Sequence, residues 1–360
     1  MSDMSFRAVQ RLCCAGLDSV SLRLAVAERS APDMDAPSWA FSTCDPDTGL
    51  MTHTVSEGIT ESLALRYVER LYPYEIAQLT IDMPRNGTNV FSTLAHAPES
   101  REALAECGLI DEVNISLVAR GRLWGTWCLM SRDHSAAAMS RRRGALRRLS
   151  PYLARALRDA AMVDLALAAD APTDTTPGVV VLDARNRPTV LTAAARRWLD
   201  DLADVGYDFD DGVPLALRAL VGQLRTAPVA VAATKRLRAR GRSGRWYAVM
   251  AALAEPDVNG DTAATLVVEP IMPTAVRTSF GWRYDLSARE REVVAAVVRG
   301  EPTKCIAASL GISPHTVAEH LERACAKVGV RGRKALVARL FLDGRGTPSV
   351  DQASVPATAS

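Results

Sequence analysis

Charged and polar side chains recur on one side of the segment Pro314–Val328. At 100° per residue, a helix here places an apolar set on one face: Val317, Leu321, Ala324 and Val328. The opposite face carries His315, Glu319, Glu322, Arg323 and Ala326. The apolar face must be buried, so the polar face points outward. Carboxylates accept hydrogen bonds while guanidinium and imidazole groups donate them, which gives this face the chemistry for recognising a polar partner.

Three shorter signals define the helices that position this face. Ser313 is a helix cap followed by Pro314 at the first helical position, where a missing N–H costs nothing. A short helix over 303–310 ends at Gly311, which gives helix-turn-helix organisation over 303–322. Before it, Ser287 and Glu290 form a capping box that starts a helix ending at Gly300, and a fourth helix is predicted over 333–342.

Residues 284–343 resemble the LuxR-type helix-turn-helix domain over about sixty positions. The matching residues are Leu286, Ser287, Arg289, Glu290, Glu292, Val293, Gly300, Ile306, Ala307, Leu310, Ile312, Ser313, Thr316, Val317, His320, Lys327, Gly329, Val330 and Arg333. The resemblance implies a bacterial transcription regulator that dimerises and binds near-palindromic double-stranded DNA. It also implies that Lys304 and Thr316 hold phosphates and that residues 318–323 read bases.

The expected DNA-contact set combines this resemblance with the outward face. It contains Thr303, Lys304, Ser313, His315, Thr316, Val317, Ala318, Glu319, Glu322, Arg323, Lys327 and Arg331. Two positions depart from the family pattern, because Ala318 and Glu322 stand where basic residues are common. The remaining positive charges lie at the rim: Lys304, Arg323, Lys327, Arg331, Arg333 and Lys334. Residues 284–343 hold ten Lys/Arg and seven Asp/Glu, so the excess positive charge is only three.

The acidic residues leave three interpretations open. Glu319 or Glu322 could accept a hydrogen bond from a cytosine amino group, which would make the acid a specificity device. Alternatively, Glu322 pairs locally with Arg323 or Lys327 and is electrostatically quiet. In the third interpretation the domain no longer binds DNA, and the chain is a protein-binding adaptor. Salt dependence separates a DNA reader from an adaptor, because only the former releases many counterions on binding.

Length, composition and motifs bear on the number of domains, on membrane association and on catalysis. The chain has 360 residues, which fits two or three domains, and a net charge of +2, so any nucleic-acid affinity must come from local patches. No apolar run could span a membrane and no signal peptide begins the chain, so we expect a cytoplasmic protein with no membrane association. The seven cysteines form no metal spacing, and no nucleophile elbow or phosphate loop is present. We therefore expect no metal, no cofactor and no catalytic residues.

Two Pro-containing linkers, 169–177 and 271–283, divide the chain into three parts, and the tail 344–360 is too polar to fold. In the segment 1–168, helical patterns lie near 6–28 and 60–78, a hairpin turns at Gly121–Arg122, and a long connecting helix covers 141–168. Segment 178–270 reads as two strands, two helices and three strands, which gives a small antiparallel sheet with helices against it. The chain is thus a multidomain α+β protein followed by an all-α four-helix domain.

The two front segments resemble sensor domains. Segment 1–168 is similar to a GAF domain and segment 178–270 looks like a PAS domain, an order that recurs in actinobacterial-type regulators. The resemblance implies a homodimer, and the sensor part could bind a small-molecule effector, which the sequence does not identify. An apolar stripe on the connecting helix, between sensor and reader, motivates the hypothesis that a signal changes the packing of this helix and so the spacing of two helix-turn-helix domains.

Two residue sets in the first segment have open roles. An apolar stripe runs along the connecting helix at Leu146, Leu149, Leu153 and Leu157, with a break foreseen near Pro151. Its steps of three and four suit either a dimer interface or packing within its own domain. Four aromatic residues, Trp39, Phe41, Trp124 and Trp127, are expected either to line a ligand pocket or to fill the core of a sheet.

Overall fold

A computed structural model describes residues 2–71, 90–92, 99–167, 174–227, 235–258, 260–271, 284, 286–298 and 301–336. The chain divides into two compact units, Met1–Met272 and Pro273–Ser360. The boundary falls within the second predicted linker, and both predicted sensor segments lie in the first unit. Within the described residues, no helix combines the length and apolar character that crossing a membrane requires.

The first sheet is antiparallel and has five strands. They are β1 (Ser38–Cys44), β2 (Met51–Glu57), β3 (Val90–Phe91), β4 (Asp111–Ala119) and β5 (Arg122–Ser131), in the order β2-β1-β5-β4-β3. The hairpin between β4 and β5 turns at Arg120 and Gly121, whose φ values are 52° and 70°. Positive φ at both positions matches the twist of the strands, so the predicted hairpin is present with its turn one residue earlier than expected.

Helices cover this sheet. They are α1 (Asp3–Leu12), α2 (Ser19–Ser30), α3 (Glu61–Leu71), α4 (Glu99–Glu106) and α5 (Ala136–Leu167). The helical pattern predicted over 6–28 is therefore two helices, because Asp18 caps a new one through the N–H groups of Val20 and Ser21. The prediction over 60–78 is met as far as Leu71, and its remainder lies outside the described residues.

The long helix α5 is continuous through Pro151 and packs on strand β4. Leu146, Leu149, Leu153 and Leu157 are each at most 2% exposed. A side chain at Gly125 would come within 2.8 Å of Leu157 Cδ1, so the helix approaches the sheet closely at a glycine. The leucines proposed for a dimer interface lie instead in the core of their own unit. A helix on a sheet needs the same three- and four-residue steps as a helix on a partner helix.

The four aromatic residues also belong to this core, each at most 4% exposed. Phe41 and Trp127 are cross-strand partners whose rings stack at 5.0 Å. The Trp39 indole donates to Glu57 Oε2 at 3.1 Å, and that of Trp124 donates to the Ala119 carbonyl at 3.0 Å. These contacts and the low exposure match the second expectation, that the aromatic residues fill the core of the sheet.

The second sheet follows the predicted order of elements. Its strands are β6 (Gly178–Leu182), β7 (Pro188–Leu191), β8 (Lys235–Arg240), β9 (Trp246–Leu253) and β10 (Ala264–Ile271), arranged β7-β6-β10-β9-β8. Helices α6 (Ala193–Asp201) and α7 (Leu215–Thr226) pack on one face, where Trp198, Leu220 and Leu266 share a core. Both sheets place their strands in the order second, first, fifth, fourth, third, although the sequence shows no internal repeat.

Ionic groups join the two sheets within the first unit. Arg238 on β8 donates to both carboxylate oxygens of Asp45, at 3.2 and 3.0 Å, and also contacts Asp47. Asp45 is only 2% exposed, so its charge is balanced inside the protein. The Asp204 carboxylate accepts the N–H groups of Thr54 and Leu215, both at 2.8 Å. The loop 45–47 is thus a contact between the sheets.

The second unit contains α8 (Ala288–Val298), α9 (Thr303–Leu310) and α10 (Pro314–Val328). Its core brings Val293, Val297, Ile306 and Val317 together, with a neighbouring cluster around Ala324 and Val328. The start of the fourth predicted helix is helical at 333–336, and its remainder lies outside the described residues.

Candidate nucleic-acid interface

Local hydrogen bonds fix where each helix of the second unit begins. The Ser287 N–H donates to Glu290 Oε2 at 2.7 Å and the Glu290 N–H donates to Ser287 Oγ at 3.2 Å, which is the predicted capping box. Ser313 Oγ accepts the Thr316 N–H at 3.0 Å, as the predicted cap of α10. Helix α9 ends at Gly311 with φ 64°, a left-handed conformation that favours glycine. These devices turn the chain sharply between α9 and α10.

The outward face of α10 is the candidate interface. Pro314, His315, Ala318, Glu322, Arg323 and Ala326 are exposed, and Thr316 and Glu319 are half-buried. Val317, which was placed in the expected contact set, is 1% exposed and packs with Val293 and Ile306. Its apolar side chain therefore holds the helix in place and cannot contact a partner. The helical periodicity alone had already placed Val317 on the inward face.

Glu319 and Glu322 differ in their surroundings. Glu319 lies between His315 Nε2 at 3.5 Å and Arg323 Nη2 at 3.4 Å, one helical turn before and after it. Glu322 is exposed and has no hydrogen-bond or ion-pair partner among the described residues. The interpretation that Glu322 pairs locally is therefore wrong, because neither Arg323 nor Lys327 contacts it. Arg323 turns towards Glu319, and Lys327 is engaged elsewhere.

Lys327 is exposed, but its ammonium group is paired with a buried carboxylate of its own domain. Its Nζ lies 2.6 Å from Glu290 Oε2, and Glu290 is 3% exposed. Burial raises the pKa of Glu290, but the hydrogen bonds from Lys327 and the Ser287 N–H outweigh it and leave that pKa below its usual value. Glu290 thus links the start of α8 to the end of α10. No local pattern predicts this pair, because its members are 37 residues apart.

The other expected contacts and the rim cations differ in exposure and in their partners. Lys304, Arg331 and Lys334 are exposed, and Thr303 is half-buried at the start of α9. Ser313 and Thr316 share a hydroxyl–hydroxyl hydrogen bond at 2.9 Å, so both oxygens lie at the N-terminus of α10. Arg333 donates to the Glu301 carbonyl at 2.6 Å, which directs it towards its own domain. Of the six rim cations expected from the sequence, Arg323, Lys327 and Arg333 contact groups of their own domain.

Arg289 matches the family pattern, but the sequence did not predict its partners. Arg289 Nη2 donates to the Leu310 carbonyl at 2.6 Å, and Nη1 contacts Glu292 at 2.6 Å. Arg289 therefore ties α8 to the last residue of α9. Its position in the first turn of a helix was visible, but its partner at residue 310 depends on how the helices pack.

The described residues contain no group of three His, Cys, Asp or Glu side chains that could hold a metal ion. Helix, tight turn, helix and an outward polar face define a helix-turn-helix domain. The model of the luxR family of bacterial regulatory proteins matches residues 285–340. The spore germination protein GerE of Bacillus subtilis is 44% identical over 59 residues, which is 16% of this chain and 80% of GerE. The chain belongs to the LuxR family of bacterial regulatory proteins.

Other relatives match this chain over smaller shares of their length. A probable transcriptional regulatory protein, NarL of Mycobacterium tuberculosis, is 47% identical over 53 residues, which is 15% of this chain and 24% of NarL. A crystal structure of Escherichia coli SdiA covers 95% of this chain and 98% of its own, at 12% identity and a TM-score of 0.32. That score is too low for SdiA to inform the arrangement of the first unit.

Proposed function

We propose that the protein is a dimeric transcriptional regulator that binds specific sites in double-stranded DNA through α10. The observation that carries the proposal is the outward polar face of α10, which is held by a capped start and a glycine turn after α9. In helix-turn-helix proteins such a face enters the major groove, where base pairs present distinguishable patterns of donors and acceptors.

The charges around α10 set the expected strength of binding. Lys304, Arg331 and Lys334 are exposed at the rim, and Arg323 extends from the outward face. Because log affinity falls with log salt by about 0.9 per neutralised phosphate, these few cations give a shallow salt dependence for each domain. Specific hydrogen bonds to bases then provide a larger share of the binding free energy than they do in a strongly basic domain.

The first unit is the proposed sensor. Two five-stranded sheets with the same strand order lie in one unit, and helix α5 links them, because Asp164 on α5 approaches Arg240 on β8 at 3.1 Å. We assign these sheets to GAF-like and PAS-like domains that receive a small-molecule effector in the cytoplasm. Effector binding at either sheet alters the packing of α5 and, through the dimer, the spacing of the DNA-binding domains.

Selection of DNA sites tests this function. The full chain is mixed with random duplexes, bound sequences are enriched, and the best site is titrated at several salt concentrations. A palindromic site whose half-sites lie about one helical turn apart, with a negative slope of log affinity against log salt, is the expected result. A chain that enriches no sequence contradicts the proposal.

A second candidate function is protein binding by the same helix. Ala318, Glu319 and Glu322 give α10 an uncharged and acidic surface where phosphates favour cations. A protein-docking face would enrich no DNA sequence in the same experiment, because it has no affinity for base edges or phosphates. The two functions therefore predict opposite outcomes from one measurement.

A further inference from the structure

We infer that Glu322 is a specificity-determining residue that reads a cytosine in each half-site, and that Glu319 is not. In this inference the Glu322 carboxylate accepts a hydrogen bond from the N4 amino group of that cytosine. The inference rests on the proposed DNA-binding function and adds to it the base that one named side chain selects.

The position of Glu322 makes its carboxylate available. It is exposed on the outward face of α10, with Ala318 four residues earlier on the same ridge of the helix. Alanine ends at its Cβ, so no side chain at that position can cover or neutralise the carboxylate. A lysine at either position would instead have turned this ridge towards phosphate or guanine.

Glu319 is on the same face, but its carboxylate contacts two side chains of its own helix. One oxygen faces His315 and the other faces Arg323, at 3.5 and 3.4 Å, and the residue is half-buried. Arg323 can swing to a phosphate only by leaving Glu319, so the two act together as a local pair. Because Lys327 is bound to Glu290, no cation of the last turn reaches back to Glu322.

The electrostatics of the groove then select the base. A carboxylate near two phosphate strands is repelled, so Glu322 disfavours every site where it finds no donor. Only cytosine and adenine present donors in the major groove. Adenine places its N7 acceptor beside the N6 amino group and so repels one carboxylate oxygen, whereas cytosine presents its N4 amino group without an acceptor of its own. Cytosine is thus the favourable partner for Glu322.

The test compares four full-length proteins by selection from random duplexes and by titration of the wild-type site. They are wild type, Glu322→Ala, Glu322→Gln and the matched control Glu319→Gln. We expect wild type to require cytosine at one position of each half-site, with a penalty of about tenfold for other bases. Glu322→Ala should accept all four bases there, and Glu322→Gln should prefer adenine, because glutamine pairs with adenine N6 and N7. Glu319→Gln should keep the cytosine preference.

A second readout isolates the hydrogen bond. In the wild-type site, that cytosine is replaced by 2-pyrimidinone, which lacks the N4 amino group. We expect about a tenfold loss for wild type and almost none for Glu322→Ala.

The outcomes separate this inference from the proposed function. If wild type enriches a site but Glu322→Ala keeps every base preference and only binds more tightly, Glu322 is merely repulsive and the inference is wrong. If the cytosine preference disappears in Glu319→Gln instead, the roles of the two acids are reversed. If wild type enriches no site, the proposed function fails and takes the inference with it.

Discussion

Single residues in this protein take their role from partners that are distant in sequence. Lys327 and Glu290 show this most clearly, because each has an obvious local interpretation. Glu290 completes a capping box that the sequence predicts, and Lys327 looks like a cation for a phosphate. The structure joins them at 2.6 Å, so one carboxylate serves both the start of α8 and the end of α10.

Replacing Lys327 should therefore affect folding more than DNA binding. Lys327→Met removes the cation from a carboxylate that is 3% exposed, so we expect the second unit to lose about 1.5–3 kcal/mol of stability, as for a hydrogen bond to a charged group. The salt slope of DNA binding should stay at its wild-type value. Lys304→Met is the matched control, with unchanged stability and a slope reduced by about one. Urea unfolding and salt titrations measure the two quantities, and the reverse pattern would contradict this assignment of Lys327.

His53 predicts how the stability of the first unit depends on pH. Its Nδ1 lies 2.9 Å from Arg23 Nη2, and both residues are buried. Burial, with the nearby Arg23 charge, lowers the pKa of His53 from 6.5 to about 3. As the pH falls, His53 is therefore protonated in the unfolded chain at a higher pH than in the folded protein. Stability from this residue is complete above about pH 6.5 and is lost at about 1.4 kcal/mol per pH unit below it.

The variant His53→Gln should remove that slope, because glutamine can still accept from Arg23 but does not titrate. Burial also raises the pKa of Asp204 from 3.8 to about 6. The stability that Asp204 contributes is therefore lost as the pH rises from about 3.8 to about 6. Both proteins retain Asp204, and the difference between them isolates His53. Tryptophan fluorescence during denaturant unfolding at pH 5 to 7 gives the free energy of unfolding of each protein and so this difference. Equal slopes in the two proteins would exclude His53 as the cause.

At the scale of helices and strands, the sequence was most informative where signals are local. The capping box, the glycine after α9, the turn between β4 and β5 and the alternation of the second sheet each depend on residues a few positions apart. The partner of an apolar face depends instead on the whole fold. The leucine stripe of α5 has the spacing of a dimer helix, but its partner is β4 of the same unit. Likewise, Pro151 was expected to break this helix and does not.

The stripe makes a prediction that separates a core from an interface. Leu153→Ala deletes side-chain atoms at a position that is 1% exposed, so we expect a loss of about 2–5 kcal/mol in stability. The oligomeric mass by sedimentation should be unchanged at concentrations where the protein stays folded. Arg155→Ala on the exposed side of α5 is the control and should cost less than about 0.5 kcal/mol. If Leu153→Ala changes the oligomeric mass without a loss of stability, the stripe forms a dimer interface.

Across the first unit, two sheets that the sequence presents as separate domains are joined by buried ionic contacts. A linker at 169–177 was visible, but the pairing of Arg238 with Asp45 spans 193 positions and leaves no local pattern. Local signals divide the chain into segments. They cannot show which segments share a buried charge, because that follows from the packing of both sheets.

This junction predicts that the two sheets open together. Arg238→Ala removes the guanidinium partner of the Asp45 carboxylate, which is 2% exposed in the native protein, so we expect a loss of about 3–5 kcal/mol. Hydrogen exchange of the native full chain provides the measurement. In wild type, the central strands of both sheets should exchange with one shared free energy of opening, whereas in Arg238→Ala the two sheets should exchange with different ones. Arg236→Ala, two residues earlier on the exposed side of β8, should leave the shared value intact.

The outcome bears on how a signal could act at either sheet. If both sheets exchange as one cooperative unit, an effector that stabilises one of them stabilises the other by the same linkage, and the site of binding does not decide which sheet responds. If wild type already shows two separate opening free energies, the ionic junction is a weak contact. A signal at the first sheet would then have to travel through the remaining contacts between the sheets, and the Asp164–Arg240 contact at the end of α5 would be the one to replace next.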